Sequence, residues 1–228
     1  MKKIILTITA MMIGFCLITG TGWAAEKEMP KAGFLQDYSK LTPDDPLKLV
    51  DWVYVAPKTV DMTKYDKLML DDVVFFISED AEYKGFEAKE LADLGDAFQK
   101  AIVMNLSGVY EFTDTPGPGV MRIRIAVTNL VPNNSFTGTV STIVPVGLAL
   151  STVKKAATGS HIGMGGVSIE GEIVDAQTNE ILGAVIDTKT GKKYKIAKSM
   201  SKWGHAIDIF NTWAQNIRTR LDKRTGRE

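Results

Sequence analysis

The chain has little with which to do covalent or metal chemistry. Its 228 residues hold one cysteine, Cys16, and two histidines, His161 and His205. Cys16 falls inside an apolar N-terminal run, so the rest of the chain offers no thiol nucleophile, no thiolate metal ligand and no disulfide. The two histidines have no carboxylates at ligand or triad spacing around them, and each reads as a loop or surface residue, His161 in a glycine-rich stretch and His205 on the outside of a helix. No nucleophile elbow is present, and Gly163-Met164-Gly165-Gly166 lacks the lysine and hydroxyl residue of a phosphate loop. The expectation is no cofactor and no metal. Charge of one sign is missing too: 27 basic residues face 27 acidic ones, so no strong field draws the protein to nucleic acid.

Long hydrophobic runs are confined to the start. Lys2 and Lys3 precede the apolar Ile4 to Phe15, and Trp23-Ala24-Ala25 offers a small-residue cleavage site, the pattern of a secretion signal over residues 1–25. Ile4 to Ile18 is short for a membrane span of about 20 residues. Phe15 stands where a lipidated cysteine needs a small residue before it, which argues against a lipid anchor at Cys16. Cleavage removes two of the 27 basic residues and leaves a net charge of about −2 and no cysteine. A periplasmic or otherwise extracytoplasmic location is expected, with no transmembrane span once the signal is gone.

The remainder reads as a leader at 26–46 and one domain at 47–228. In the leader Phe34, Leu35, Tyr38 and Leu41 have the spacing of a short apolar flap laid on the domain. Leu49 to Val55 reads as a strand, and so does Lys67 to Ile77, where Val73 to Ile77 is apolar on both faces and therefore expected in the middle of a sheet. Leu91, Leu94, Phe98, Ala101, Ile102 and Leu106 share one helical stripe, which sets a helix over 87–107 with Gly108 at its end. Val109 to Phe112 begins another strand. After the turn at 115–119, Val120 to Val131 alternates Met121, Ile123, Ile125 and Val127 with Arg122, Arg124 and Thr128. Residues from about 132 to 166 read as a flexible insertion, and Tyr194 to Ile196 as a short edge strand.

The stretch Val167 to Asp187 is a β-hairpin. Ser168, Glu170 and Glu172 alternate with Val167, Ile169, Gly171 and Ile173; Asp175 to Asn179 makes the turn, and an apolar run from Ile181 to Ile186 returns. A last helix over 201–222 is phased by Trp203, Ile207, Phe210, Ala214, Ile217 and Leu221, with Ser199 or Ser201 as N-cap. Arg218, Arg220, Lys223, Arg224 and Arg227 near its end suit the helix dipole and also permit peripheral contact with an anionic membrane.

Only one residue set resembles a catalytic pair. Glu170 and Glu172, two residues apart on one strand, stand about 6.6 Å apart on the same face, a spacing that an inverting glycan hydrolase uses. Arg122 and Arg124 have the same spacing on a second half-polar strand, and a structural ladder of Arg122, Arg124, Glu170 and Glu172 is the simpler expectation, worth about 0.2–1 kcal/mol per pair. Carboxylates open to solvent would favour catalysis; carboxylates closed over would favour the ladder.

Taken together, GFLQDYSKL at 33–41, the strand end from Tyr54 to Pro57, PGPGVMRIRIAVTN at 116–129, IEGEIVDAQTNEILGAVID at 169–187 and the terminal helix with Trp203 and Trp213 resemble the bacterial envelope family called domain of unknown function 3313, many of whose members are described as lipoproteins. The resemblance implies extracytoplasmic residence and a mixed α/β domain, and no established activity. Phe15 departs from the lipoprotein pattern, and Asn179 stands where the family's turn has glycine; asparagine tolerates the same left-handed geometry. The fold expected is α+β: a single mixed, mostly antiparallel sheet covered by two long helices on one face. The function expected is that of a non-enzymatic envelope accessory or binding protein, whose partner is an envelope protein or envelope polymer, with glycan hydrolysis through Glu170 and Glu172 as the alternative.

Overall fold

The computed structural model describes residues 28–43, 47–77, 81, 83, 85–133, 164–190 and 202–227. In chain order the elements are β1 (Thr42–Pro43), β2 (Trp52–Val55), β3 (Lys67–Leu70), β4 (Val74–Phe75), α1 (Ala88–Leu106), β5 (Glu111–Phe112), β6 (Val120–Asn133), β7 (Met164–Asp175), β8 (Ile181–Thr190) and α2 (Gly204–Thr225). The strands form one eight-stranded sheet in the order β1-β2-β8-β7-β6-β3-β5, with β4 also paired to β6. Pairing is antiparallel from β1 through β6 and parallel where β6 meets β3 and β4. The protein is thus a mixed α+β domain with a mostly antiparallel sheet. The expected signal peptide, Cys16, most of the insertion with His161, the edge strand at 194–196 and the N-cap serines lie outside the described residues; residues 132–133 and 164–166, assigned to the insertion, continue β6 and β7.

The hairpin β7–β8 is built by its turn. Asp175 accepts hydrogen bonds from the amides of Gln177 at 2.8 Å and Thr178 at 2.9 Å, and Asn179 takes a φ of 61°. A short polar side chain tolerates that left-handed backbone, so the turn closes without glycine. The Tyr65 hydroxyl donates to the other oxygen of Asp175 at 2.7 Å and ties the turn to the segment before β3.

Helix α1 follows its sequence pattern. Glu87 and Glu90 form a capping box, and Leu91, Leu94, Phe98, Ala101, Ile102 and Leu106 are all buried. Helix α2 follows the expected stripe at Phe210, Ala214 and Leu221 and departs from it in its first turn. Trp203 sits before the helix as its N-cap with φ −115° and ψ 6°, where it packs on Phe86 with ring centroids 6.0 Å apart. The buried face also takes in His205, Ala206, Ile209 and Trp213, Ile207 is 39% exposed, and His205 is 4% exposed rather than outward-facing.

Phe98 of α1 stacks on Phe210 of α2 at 4.4 Å between centroids, with Trp213 6.0 Å from Phe98. The buried stripes of both helices join one apolar cluster with Met121, Ile123, Ile125 and Val127 of β6 and Val167 and Ile169 of β7. A second cluster gathers Leu35 and Leu41 of the leader with Trp52, Ala184 and Ile186. Val73 to Ile77 is not a central strand. Asp71 to Val73 interrupt the run, only Val74 and Phe75 pair, and Val74 is 38% exposed. The break places Asp71 where its carboxylate binds Arg122 at 2.7 Å.

Candidate functional site

Register sets the site. Across β6 and β7, Arg124 pairs with Glu172 and Ala126 with Glu170; across β7 and β8, Glu170 pairs with Ile186 and Glu172 with Ala184. Strand alternation puts both glutamates on the face opposite Ile169, Gly171 and Ile173. Ala126 and Ala184 beside them leave room for a segment to lie over the carboxylates, and residues 32–38 of the leader do so.

Each carboxylate oxygen is engaged. Glu170 Oε1 accepts from the Ala32 amide at 2.6 Å, while Oε2 accepts from the Phe34 amide at 3.0 Å and the Tyr38 hydroxyl at 2.5 Å. Glu172 Oε2 accepts from the Gln36 amide at 3.2 Å, and Oε1 from Gln36 Nε2 at 3.1 Å and from Arg124 Nη1 at 2.6 Å. The alternate amides 32, 34 and 36 of a bent loop thus meet alternate side chains of a strand. Tyr38 knots the loop by also accepting from the amides of Gly33 at 2.7 Å and Leu35 at 3.3 Å. Burial, together with the hydrogen bond to Glu170 and its charge, pushes the Tyr38 phenol upward, so it stays a donor. Asn179 Nδ2 donates to Gln36 Oε1 at 3.0 Å and links the hairpin turn to the same loop. The Arg124 guanidinium lies 5.7 Å from the centre of the Phe34 ring.

Of the four residues grouped by the sequence as a ladder, only Arg124 and Glu172 meet as an ion pair; Arg122 points to Asp71 instead, and Glu170 is held by leader amides and a phenol. Both glutamates are 1% exposed. An inverting pair needs solvent room for the attacking water between its carboxyls, and this arrangement fills that room with the chain's own donors. The half-polar strand expected from the sequence is therefore buried on both faces. The covering groups are mostly backbone amides, which no side-chain pattern displays; the visible signal was an apolar flap with Tyr38 and Gln36 on a segment whose destination the sequence left open.

The sequence also missed a second polar cluster. Asp187, on the same face of β8 as Val185, accepts from Trp213 Nε1 at 2.6 Å and the Asp51 amide at 3.1 Å, and pairs with Lys189 at 2.6 Å. Burial pushes its carboxyl upward against the opposing pull of Lys189 and Trp213. Its role is packing of α2 on the sheet. His205 Nε2 lies 3.0 Å from the Val131 carbonyl, and burial lowers its pKa. Among the described residues no group of His, Cys, Asp and Glu is arranged to hold a metal, and no helix is long and apolar enough to cross a membrane.

Fold and site define a mixed α+β domain that clasps its own N-terminal segment through two sheet carboxylates. The chain belongs to DUF3313, a protein family of unknown function, whose model matches residues 30–217 and so includes the clasped segment. No curated relative matches it. Solved structures that resemble it include the PelC dodecamer from Paraburkholderia phytofirmans, with 11% identity, a TM-score of 0.37 and coverage of 76% of this chain and 94% of that one. A putative neuraminyllactose-binding hemagglutinin homolog from Helicobacter pylori has 9% identity and a TM-score of 0.38, covering 76% of this chain and 91% of its own. A DUF4136 family protein from Bacteroides thetaiotaomicron has 10% identity and a TM-score of 0.36, covering 74% and 95% respectively. Likeness at this level does not extend to what those proteins bind or assemble into.

Proposed function

We propose that the protein is a non-enzymatic accessory or binding protein of the cell envelope, exported to the extracytoplasmic side and recognising another envelope component. The observation that carries the non-enzymatic part is the clasp. The one residue pair with hydrolase spacing spends all four of its oxygens on the chain's own donors and is closed to water. Export rests on Lys2, Lys3, the apolar run and the small-residue cleavage site. In this reading the two helices close one face of the sheet and the leader closes the other, a rigid body that presents surfaces rather than a reaction centre.

The test is made on the protein from its native cells. Osmotic shock is expected to release a chain that begins at Ala25 or Glu26 and has an unmodified mass, and a tagged version is expected to co-purify with an envelope component. Purified protein incubated with peptidoglycan is expected to release no soluble fragments. Retention in the cytoplasm, a diacylglyceryl adduct at Cys16, or fragment release that Glu172→Gln abolishes would each overturn the corresponding part.

A further inference from the structure

Beneath the C-terminal half of α2 runs a cleft of about 410 Å³, walled by α2, β2, β7 and β8. That volume lies within the roughly 300–1,000 Å³ of small-molecule sites. Its lining is apolar, with Ile173, Leu182, Val185, Ile217 and Leu221 around two strand glycines, Gly171 and Gly183. Gly171 and Ile173 alternate with Glu170 and Glu172, so the cleft opens on the face of β7 that the clasp does not use. A Cβ at Gly171 would stand 3.5 Å from Val185 Cγ2 and 3.7 Å from Ile125 Cγ1. A separate, smaller void of about 50 Å³ reaches Ile169 and Trp213 under the helix and shares Gly171, Val185, Ile217 and Arg220 with the cleft's lining. The larger cleft is thus an apolar crevice.

The charged side chains lining this crevice all have one sign. They are Lys58, Arg220, Lys223 and Arg224, and no carboxylate lines it. Lys58 and Lys223 are exposed and mark the mouth. Arg224 reaches inward, where one terminal nitrogen donates to the carbonyls of Ala56 at 2.9 Å and Pro57 at 3.3 Å, while its buried Nε has no hydrogen-bond partner among the described residues. The dipole of α2 accounts for Lys223 and Arg224 at its last turn, but not for Lys58, which comes from the loop after β2. An apolar slot with a cationic mouth complements one kind of small molecule: a single apolar chain with an anionic head.

We propose that the cleft binds a long-chain fatty acid, its hydrocarbon in the crevice and its carboxylate among Lys58, Lys223 and Arg224. This gives the binding role proposed above a ligand class and rests on that role. The two fail separately, because ligand binding is read on purified protein and envelope residence on cell fractions. Protein purified as the cells make it, then delipidated, is titrated with dansyl-labelled undecanoic acid. Saturable fluorescence enhancement is expected, reversed by palmitate, much less by hexadecanol and not by acetate. Ile217→Trp fills the crevice and is expected to abolish the signal. Because that change touches the packing of α2, the pair Lys58→Glu and Lys223→Glu, at exposed positions, gives an independent reading. It is expected to weaken palmitate about tenfold or more and leave hexadecanol unchanged. No saturable binding, equal displacement by palmitate and hexadecanol, or wild-type palmitate affinity in either variant would overturn the proposal.

Discussion

Val167 and Ile169 on one face of β7, and Glu170 and Glu172 on the other, are both withdrawn from water, but the two faces are closed in different ways. On the apolar face, the strand's side chains join those of α1, α2 and β6 in one cluster, and any well-fitting hydrocarbon contributes in proportion to the area it covers. On the carboxylate face each oxygen has a named donor at a named distance, and the donors other than Arg124 belong to a segment more than 130 residues away in sequence. The first kind of burial degrades gradually. The second is all-or-none, since a donor left without its acceptor loses its hydrogen bond and stays out of water.

The largest effect is expected where the apolar layer is tightest. Phe210 is fully buried and stacks on Phe98, so Phe210→Ala should cost about 3–5 kcal/mol in urea unfolding, with the slope unchanged. A much smaller loss would mean that the helices repack over the cavity and that the apolar face is softer than drawn.

Next comes the clasp. Glu170→Ala strips the acceptor from Ala32, Phe34 and Tyr38 and should cost about 2–3 kcal/mol. It should also speed tryptic cutting after Lys31 and Lys40, while Glu170→Gln, which keeps one carbonyl acceptor, falls between. Equal protease resistance in wild type and Glu170→Ala would show that Leu35 and Leu41 alone hold the leader and would erase the contrast between the faces.

The smallest effect lies in His205. Burial holds the folded ring below its ordinary value of 6.5, so the unfolded chain binds the extra proton first as pH falls. Stability from this residue is therefore fully present above about pH 6.5 and declines below it until the folded ring also titrates. His205→Gln should flatten the stability profile in that window; an unchanged slope would assign the acid sensitivity to other groups.

What the sequence disclosed, and what it hid, follows from the kind of group involved. The hairpin and α1 were legible because their side chains alternate or repeat without interruption from cap to cap. Helix α2 was legible as a helix and in Phe210, Ala214 and Leu221 of its stripe, and misplaced at its start, because Trp203 looks like the first member of a stripe and is the N-cap. The interruption at Asp71 and Asp72 was visible in the residues, yet the apolar run after it outweighed it in the reading. The carboxylates were singled out as unusual and given one right partner, Arg124 for Glu172, while the donors that hold Glu170 were missed. Arginines on a neighbouring strand are conspicuous in a sequence, whereas the amides of Ala32, Phe34 and Gln36 are properties of the backbone that any residues would supply. The leader's apolar residues, by contrast, were visible, and Leu35 and Leu41 do lie buried against Trp52 and Ile186.

The ends of the sheet carry a consequence for assembly. β1 is two residues long and contains Pro43, and β5 at the other end is also two residues long. A proline offers no amide to a newcomer, and a two-residue strand offers almost no ladder to extend. The long strands β6, β7 and β8 are interior in this order, although β8 pairs with β2 only over Gly183–Ile186 and β6 with β3 and β4 only at 120–123 and 126–127. A second polypeptide gains little by extending the sheet at β1 or β5, and a companion protein met at those ends is held through side chains on the faces and loops, a mode of association that can be tuned or lost by single surface substitutions without disturbing the fold.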